Sequence, residues 1–128
     1  MNRRLMKRKK TIRLGEIAYA RSGDKGSSAN VGVIAHTPEG FALLRHTLSA
    51  ARVGKFFKSL GVGKVVRYEL PNLGAFNFIL PDVLAGGASR SLRIDAQGKT
   101  LGQAILEMKL ELSEKDLIRC QPDRAKTS

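Results

Sequence analysis

The stretch RSGDKGSSAN, residues 21–30, lies between two apolar segments and decides how the first half of this sequence is expected to fold. Residues 16–21 and 30–36, on either side of it, are short and rich in alternating apolar residues, which predicts two strands. The strands are expected to pair as a hairpin, with a connection of about eight residues where two to five are usual. A connection of that length indicates that the loop has a use beyond joining the strands.

The predicted loop carries charge, hydroxyl groups and glycines. Gly23 and Gly26 can adopt positive φ and leave backbone N–H groups exposed, which forms a small concavity suited to an anion. Arg21 and Lys25 add positive charge beside it. The stretch is therefore a candidate anion-binding site, while an ordinary polar hairpin loop is the alternative interpretation.

Basic residues dominate the composition, since 23 Lys and Arg against 11 Asp and Glu give the 128 residues a net charge of +12. Seven of the positive charges lie in residues 1–13, which contain no acid, and five of the +12 remain for the rest of the chain. Residues 1–13 are expected to form a disordered basic arm and 113–128 a polar tail, with 14–112 as one domain. Such an arm makes a non-specific nucleic-acid binder one alternative function.

Several classes of protein find no support in the sequence. No apolar stretch is long enough for a secretory signal or a membrane span, so a cytoplasmic protein is expected. The single Cys120 cannot form an internal disulfide, and it is interpreted as an ordinary thiol. His36 and His46 have no ligand-spaced partners, so neither a metal nor a cofactor is expected.

Catalytic groupings are incomplete. Ser22, Asp24 and His36 are the residue types of a nucleophilic triad, but no nucleophile-elbow pattern surrounds Ser22. Asp24 and Lys25 could share general acid and base duties, although an ion pair in a loop is the commoner arrangement. An enzyme that uses these two residues in proton transfer, acting on an acyl or CoA substrate, is kept as an alternative.

The remaining segments predict strands and helices in clusters. Thr37 and Ser49 are predicted helix caps, and Gly61 ends the second helix. Residues 64–70 and 75–80 alternate as strands. Further predictions are a loop at 81–89, a strand at 90–95, a helix at 100–106 with an extended end, and fraying after 113.

The clustering of strands predicts the architecture. Because strands do not alternate regularly with helices, we expect an α+β sandwich with a mostly antiparallel sheet and helices packed on one face. Phe76, Phe78 and Tyr68 are expected to be buried, which would leave no exposed aromatic in a strand for stacking nucleic-acid bases. Asn77 is an amide within an apolar run, so it either closes a structural network or lines a site.

Three segments together resemble a known family: RSGDKGSSANVGVI at 21–34, RYELPNLGAFNF at 67–78 and GGASRSLRIDAQGK at 86–99. They are similar to the small ferredoxin-fold domain at the C-terminus of the acyclic terpene utilisation protein A (AtuA) family, which also occurs as a separate short protein. The likeness covers about residues 14–112. It implies a ferredoxin-like α+β sandwich without an iron–sulfur cluster.

The resemblance also implies a role in the breakdown of acyclic terpenes or related acyl compounds, as an accessory domain of a separately encoded large subunit. An anionic small molecule, such as an acyl carboxylate or acyl-CoA, is the expected ligand, and open sheet edges allow a homo-oligomer. The candidate ligand-binding residues would share one pocket if segments 21–30, 71–77 and 86–91 meet. No catalytic residue is carried over, and the ligand-binding candidates are the motif residues Arg21, Ser22, Gly23, Asp24, Lys25, Gly26, Asn30, Asn72, Asn77 and Arg90.

Overall fold

Six strands and four helices make up the part of the chain that a computed structural model describes, residues 9–25, 28–81 and 100–122, with the backbone alone for Asp24 and Lys25. Three single 3-10 turns lie at 14–16, 58–60 and 71–73. The strands are β1 (Lys9–Arg13), β2 (Ala18–Lys25), β3 (Ser28–Ala35), β4 (Val66–Leu70), β5 (Ala75–Leu80) and β6 (Lys109–Ser113), and the helices are α1 (Pro38–Thr47), α2 (Ala50–Phe56), α3 (Leu101–Ile105) and α4 (Glu114–Cys120).

The strands β2 and β3 form the predicted hairpin, with a register that runs from Ala18 opposite Ala35 to Lys25 opposite Ser28. The expected connection of eight residues is wrong, because strand pairing continues into the polar stretch and leaves only residues 26–27 between the two strands. Each added pair satisfies backbone N–H and C=O groups. Polar side chains are tolerated there because an antiparallel sheet can leave one face to solvent.

The hairpin belongs to a four-stranded antiparallel sheet with the strand order β2-β3-β5-β4. One face of this sheet packs against the helices, which confirms the expected α+β sandwich with helices on one face. Phe76 and Phe78 are fully buried, as predicted. The same core cluster includes Val31 and Val33 of β3 and, from the helices, Leu44, Val53, Leu101 and Ile105.

A second sheet pairs β1 with β6 in antiparallel register, from Lys9 opposite Ser113 to Arg13 opposite Lys109. Ile12 of β1 is buried in the main core. The assignment of residues 9–13 to a disordered arm is therefore wrong. One apolar side chain among charges gives no local signal, and the strand forms because a partner far along the chain completes its hydrogen bonds.

Side-chain caps begin the helices that the sequence predicted. The Thr37 hydroxyl accepts a hydrogen bond from the Gly40 N–H at 2.9 Å, and the Ser49 hydroxyl accepts one from the Arg52 N–H at 3.0 Å. Gly61 has a φ of 74°, in the left-handed region, and closes the 3-10 turn after α2. Both caps are confirmed, whereas the second helix ends at Phe56 and Gly61 ends the 3-10 turn that follows it.

The helix α4 lies in the segment assigned to a polar tail, so that assignment is wrong for residues 114–120. The Ser113 hydroxyl caps the helix by accepting from the backbone N–H three residues on. The helix packs against α1, where Cys120 is buried and the Thr37 hydroxyl donates to the Arg119 carbonyl at 2.9 Å. The few apolar residues of this segment are enough to stabilise a helix because they pack on the surface of α1.

We expect Gly102→Ala to lower the free energy of unfolding by roughly 1–2 kcal/mol, because the new methyl group overpacks a tight contact. A Cβ at this position of α3 would lie 3.3 Å from the Arg21 carbonyl carbon and 3.4 Å from the Ser22 nitrogen. Those atoms belong to the β2 backbone, which the ladder with β3 holds in place. Urea unfolding monitored by circular dichroism measures the change.

Gly54→Ala is the matched control for this substitution. A Cβ at Gly54 of α2 would meet the Val65 side chain at 3.4 Å, which is ordinary contact. Replacing a helical glycine by alanine there is expected to stabilise the protein by up to about 1 kcal/mol. Equal effects of the two substitutions would contradict the close packing of α3 on β2.

Candidate functional site

The face of the four-stranded sheet that points away from the helices is the candidate site, and we call it the open face. Its residues follow from strand register, because directly opposite residues of antiparallel strands lie on the same side. The open face consists of three rows of four residues, namely Tyr19, Ile34, Ala75 and Leu70, then Arg21, Gly32, Asn77 and Tyr68, then Gly23, Asn30, Ile79 and Val66.

Large apolar side chains are exposed on the open face. Tyr19 is 61% exposed, Tyr68 55%, Val66 42% and Leu70 39%. The prediction that Tyr68 is buried is therefore wrong. The alternation of β4 correctly placed Val66, Tyr68 and Leu70 on one side of the strand, but alternation cannot tell which side meets the helices.

A polar centre interrupts this apolar surface. The Asn30 side-chain amide donates to the Asn77 side-chain oxygen at 3.2 Å, across β3 and β5. Gly32 lies beside Asn77 in the middle row and contributes no side chain, so the row contains a gap with Arg21 on its other side. Each amide can form several hydrogen bonds, and this contact uses one on each.

Gly23 supports the asparagine pair by its lack of a side chain. A Cβ at Gly23 would lie 3.0 Å from the Asn30 side-chain oxygen, closer than real Cβ contacts normally come. Any larger residue at this position would therefore displace the Asn30 amide. Gly23 therefore leaves room for the Asn30 side chain on the open face. This role differs from the anion-binding loop that the sequence predicted.

The structure brings four of the ten candidate residues onto one surface: Arg21, Gly23, Asn30 and Asn77 share the open face. Ser22 points to the opposite side, toward α3. Gly26 and Arg90 lie outside the described residues, as do the predicted loop at 81–89 and strand at 90–95. The backbone of Asp24 and Lys25 lies at the hairpin end of β2.

Asn72 lies at the other end of the sheet from the hairpin tip. It belongs to the 3-10 turn that joins β4 to β5, next to the row of Ala75 and Ile34. Ile34 and Ser28 are six residues apart along β3, a separation of about 20 Å. The segments 21–30 and 71–77 therefore meet through Asn77, and the expected pocket does not include both Asn72 and the hairpin tip.

A groove of about 310 Å³ lies beside Asn72, where β3 passes into α1. Its lining includes His36, whose ring nitrogens are both buried without a hydrogen-bond partner in the described chain. Burial lowers the pKa of His36, and its ring packs edge-on against Tyr19 with centroids 4.2 Å apart. His36 and Ser22 are separated by about 17 Å along the sheet, which does not support the triad considered above.

Cys120 lines a second groove, of about 300 Å³, between α1 and α4. Burial raises the pKa of its thiol to about 11, and the carboxylates of Asp116 and Glu39 act in the same direction. The stability that this neutral thiol contributes is full below pH 9 and is lost as the pH rises from about 9 to about 11. Within the described ranges, no group of three His, Cys, Asp or Glu side chains could hold a metal ion.

We expect Cys120 of the folded protein to react with a disulfide reagent such as DTNB far more slowly than the unfolded chain at pH 8. The thiol is 1% exposed and its thiolate is disfavoured, so reaction requires opening of α4 from α1. Absorbance at 412 nm, with and without about 6 M guanidinium chloride, measures both rates. Equal rates in the two states would contradict the burial of Cys120.

The fold and the open face together define a small α+β domain whose antiparallel sheet presents an apolar surface with a polar centre. No helix among the described residues is long and apolar enough to cross a membrane. The chain belongs to the AtuA ferredoxin-like domain family, whose sequence model matches residues 12–111. This match confirms the resemblance drawn from the three motifs. Neither a curated protein nor a solved structure matches the chain.

Proposed function

We propose that this protein is an accessory domain that docks through its open face on a separately encoded large AtuA-like subunit. The observation that carries the proposal is the exposure of Tyr19, Tyr68, Val66 and Leu70 on one sheet face. Isolated exposed apolar side chains are ordinary, whereas several large ones exposed on one face are typical of interaction sites. The proposed setting is the cytoplasm, and the proposed process is catabolism of acyclic terpenes or related acyl compounds.

The size of the open face fits part of a protein interface. Four strands about 4.8 Å apart and three rows about 7 Å apart cover on the order of 400 Å². A stable interface buries about 800 Å² on each partner, so the large subunit would also contact the rim of the sheet. Leu73, 68% exposed in the turn after β4, extends the apolar surface at one end.

The polar centre of the open face supports a ligand role within the same assembly. Arg21 can form charge-assisted hydrogen bonds with a carboxylate, and the Asn30–Asn77 pair can orient it above the gap at Gly32. We propose an anionic small molecule, such as an acyl carboxylate or acyl-CoA, as the ligand. Docking of the large subunit over this centre would exclude water and strengthen the interaction with Arg21.

Nucleic-acid binding is less well supported by this surface. The exposed tyrosines Tyr19 and Tyr68 could stack on bases, but Arg21 is the one charged side chain among the twelve residues of the open face. Sequence-independent binding of nucleic acid depends on several Lys or Arg contacts to phosphates. Docking of a protein therefore explains the exposed residues of the open face better than nucleic-acid binding does.

Co-expression with a large AtuA-like subunit from the same genome tests the proposal. A tag on this protein is expected to retain the large subunit through size-exclusion chromatography, at a fixed ratio measured by native mass spectrometry. Separate elution of the two proteins at about 50 μM each would contradict docking with a dissociation constant in the micromolar range or tighter.

A further inference from the structure

Among the strands that the structure describes, β4 is an edge of the four-stranded sheet. It pairs with β5 on one side, and no residue in the described ranges pairs with it on the other. An edge strand carries a row of free backbone N–H and C=O groups, which is a template for another strand. Its three open-face residues, Val66, Tyr68 and Leu70, are also exposed.

The order of residues in β4 is self-complementary. If a second copy pairs antiparallel with β4 and Tyr68 lies on the twofold axis, Val66 lies opposite the partner's Leu70. Arg67 then lies opposite the partner's Glu69. We propose that the protein forms a homodimer through β4 in this register, which joins two four-stranded sheets into one of eight strands.

Charge selects this register over its neighbours. Moving the axis to residue 67 would place Arg67 against the partner's Arg67, and moving it to residue 69 would place two glutamates together. Like charges directly opposite each other destabilise a strand pair, whereas opposite charges stabilise it. A shift by one residue in one strand alone would bring the open face of one copy against the helix-covered side of the other.

The two charged side chains are already held in position within one copy. Arg67 donates to the Arg45 and Leu48 carbonyls, both at 3.0 Å, and to a Glu69 carboxylate oxygen at 2.9 Å. Its guanidinium also lies 5.1 Å from the centre of the Phe76 ring. Fixed side chains lose little rotamer freedom on association, so the charge pattern of β4 is preorganised for a partner.

The dimer is expected to be weak and compatible with the proposed function. Five residues of strand extend about 17 Å, which places the contact among the small interfaces of transient complexes. The pairing uses the edge of the sheet and leaves both open faces accessible. It is tested with the purified protein alone, so failure of the dimer is distinct from failure to dock on a large subunit.

Disulfide trapping tests the register, because native Cys120 is buried. In the proposed dimer, two cysteines introduced by Tyr68→Cys face each other at a Cβ separation of about 5 Å, near the range of a disulfide. The matched control Leu70→Cys lies on the same strand and face, but its two copies would be about 13 Å apart. We expect mild oxidation to cross-link Tyr68→Cys at least tenfold faster than Leu70→Cys, and equal rates would overturn the proposal.

Sedimentation of the protein over about 5–500 μM provides an independent measurement of the same association. Wild-type protein is expected to dimerise as concentration rises, and Glu69→Arg to weaken the dimer at least tenfold by placing arginines opposite each other. Glu111→Arg, an exposed charge reversal on β6, is the control and should leave the association unchanged. A monomeric wild type throughout this range, or equal effects of the two reversals, would overturn the proposal.

Discussion

Replacing Phe76 by alanine is expected to lower the free energy of unfolding by about 3–5 kcal/mol, a large fraction of the stability of a domain this size. The ring is fully buried, and it stacks on Phe41 with centroids 4.8 Å apart. Arg67 lies over the same ring, so truncation removes a cation–π contact as well as apolar burial. Guanidinium unfolding monitored by circular dichroism measures the loss.

Phe56→Ala is the matched control for Phe76→Ala. Phe56 is 38% exposed at the end of α2. Its truncation is expected to lower the free energy of unfolding by about 1–2 kcal/mol, because a ring that is already partly exposed loses less burial than a fully buried one. Similar losses for both variants would show that Phe76 does not have a central packing position.

Gly32→Glu is expected to weaken binding of the large AtuA-like subunit at least about 100-fold, a result that depends on the proposed docking through the open face. Gly32 lies in the middle row between Arg21 and Asn77, so the new side chain would fill the gap at the centre of the docking surface and its carboxylate would compete for Arg21. The substitution is compatible with the folded domain, since a Cβ there meets nothing nearer than the Arg21 and Phe76 carbonyl oxygens at 4.0 Å. Isothermal titration calorimetry measures the affinity.

Gly32→Ala controls for the loss of the glycine itself. A methyl group adds little volume and no charge, so we expect the affinity to change by less than about fivefold. Both variants should remain folded by circular dichroism. If Gly32→Glu binds the large subunit as tightly as wild type, the open face is not the docking surface.

Local features of the fold could be predicted because their causes are local. The Thr37 and Ser49 caps depend on one hydroxyl and a backbone N–H three residues away, and both formed as expected. The alternation in β5 placed Phe76 and Phe78 on one side, and their apolar bulk makes burial the favourable outcome. The polar composition of residues 21–30 predicts a loop, whereas strand pairing continues through it to Lys25 and Ser28.

Features with distant causes could not be predicted in the same way. The strand β1 depends on β6, and α4 depends on the surface of α1, so neither has a strong pattern of its own. Tyr68 has the same alternation whether its side of the sheet is covered or open. The separation of Asn72 from the hairpin tip follows from the strand register, which no motif spacing reveals.

Sequence patterns alone predict the caps, the hairpin, the apolar core of β5 and membership of the AtuA ferredoxin-like domain family, because each follows from residues close together or from motifs in order. Strand register and helix packing reveal which face of the sheet is open, that Asn30 pairs with Asn77, and that β4 is an edge among the described residues. Side-chain alternation assigns residues to two sides of a strand, while the packing of helices on one side determines which residues remain exposed.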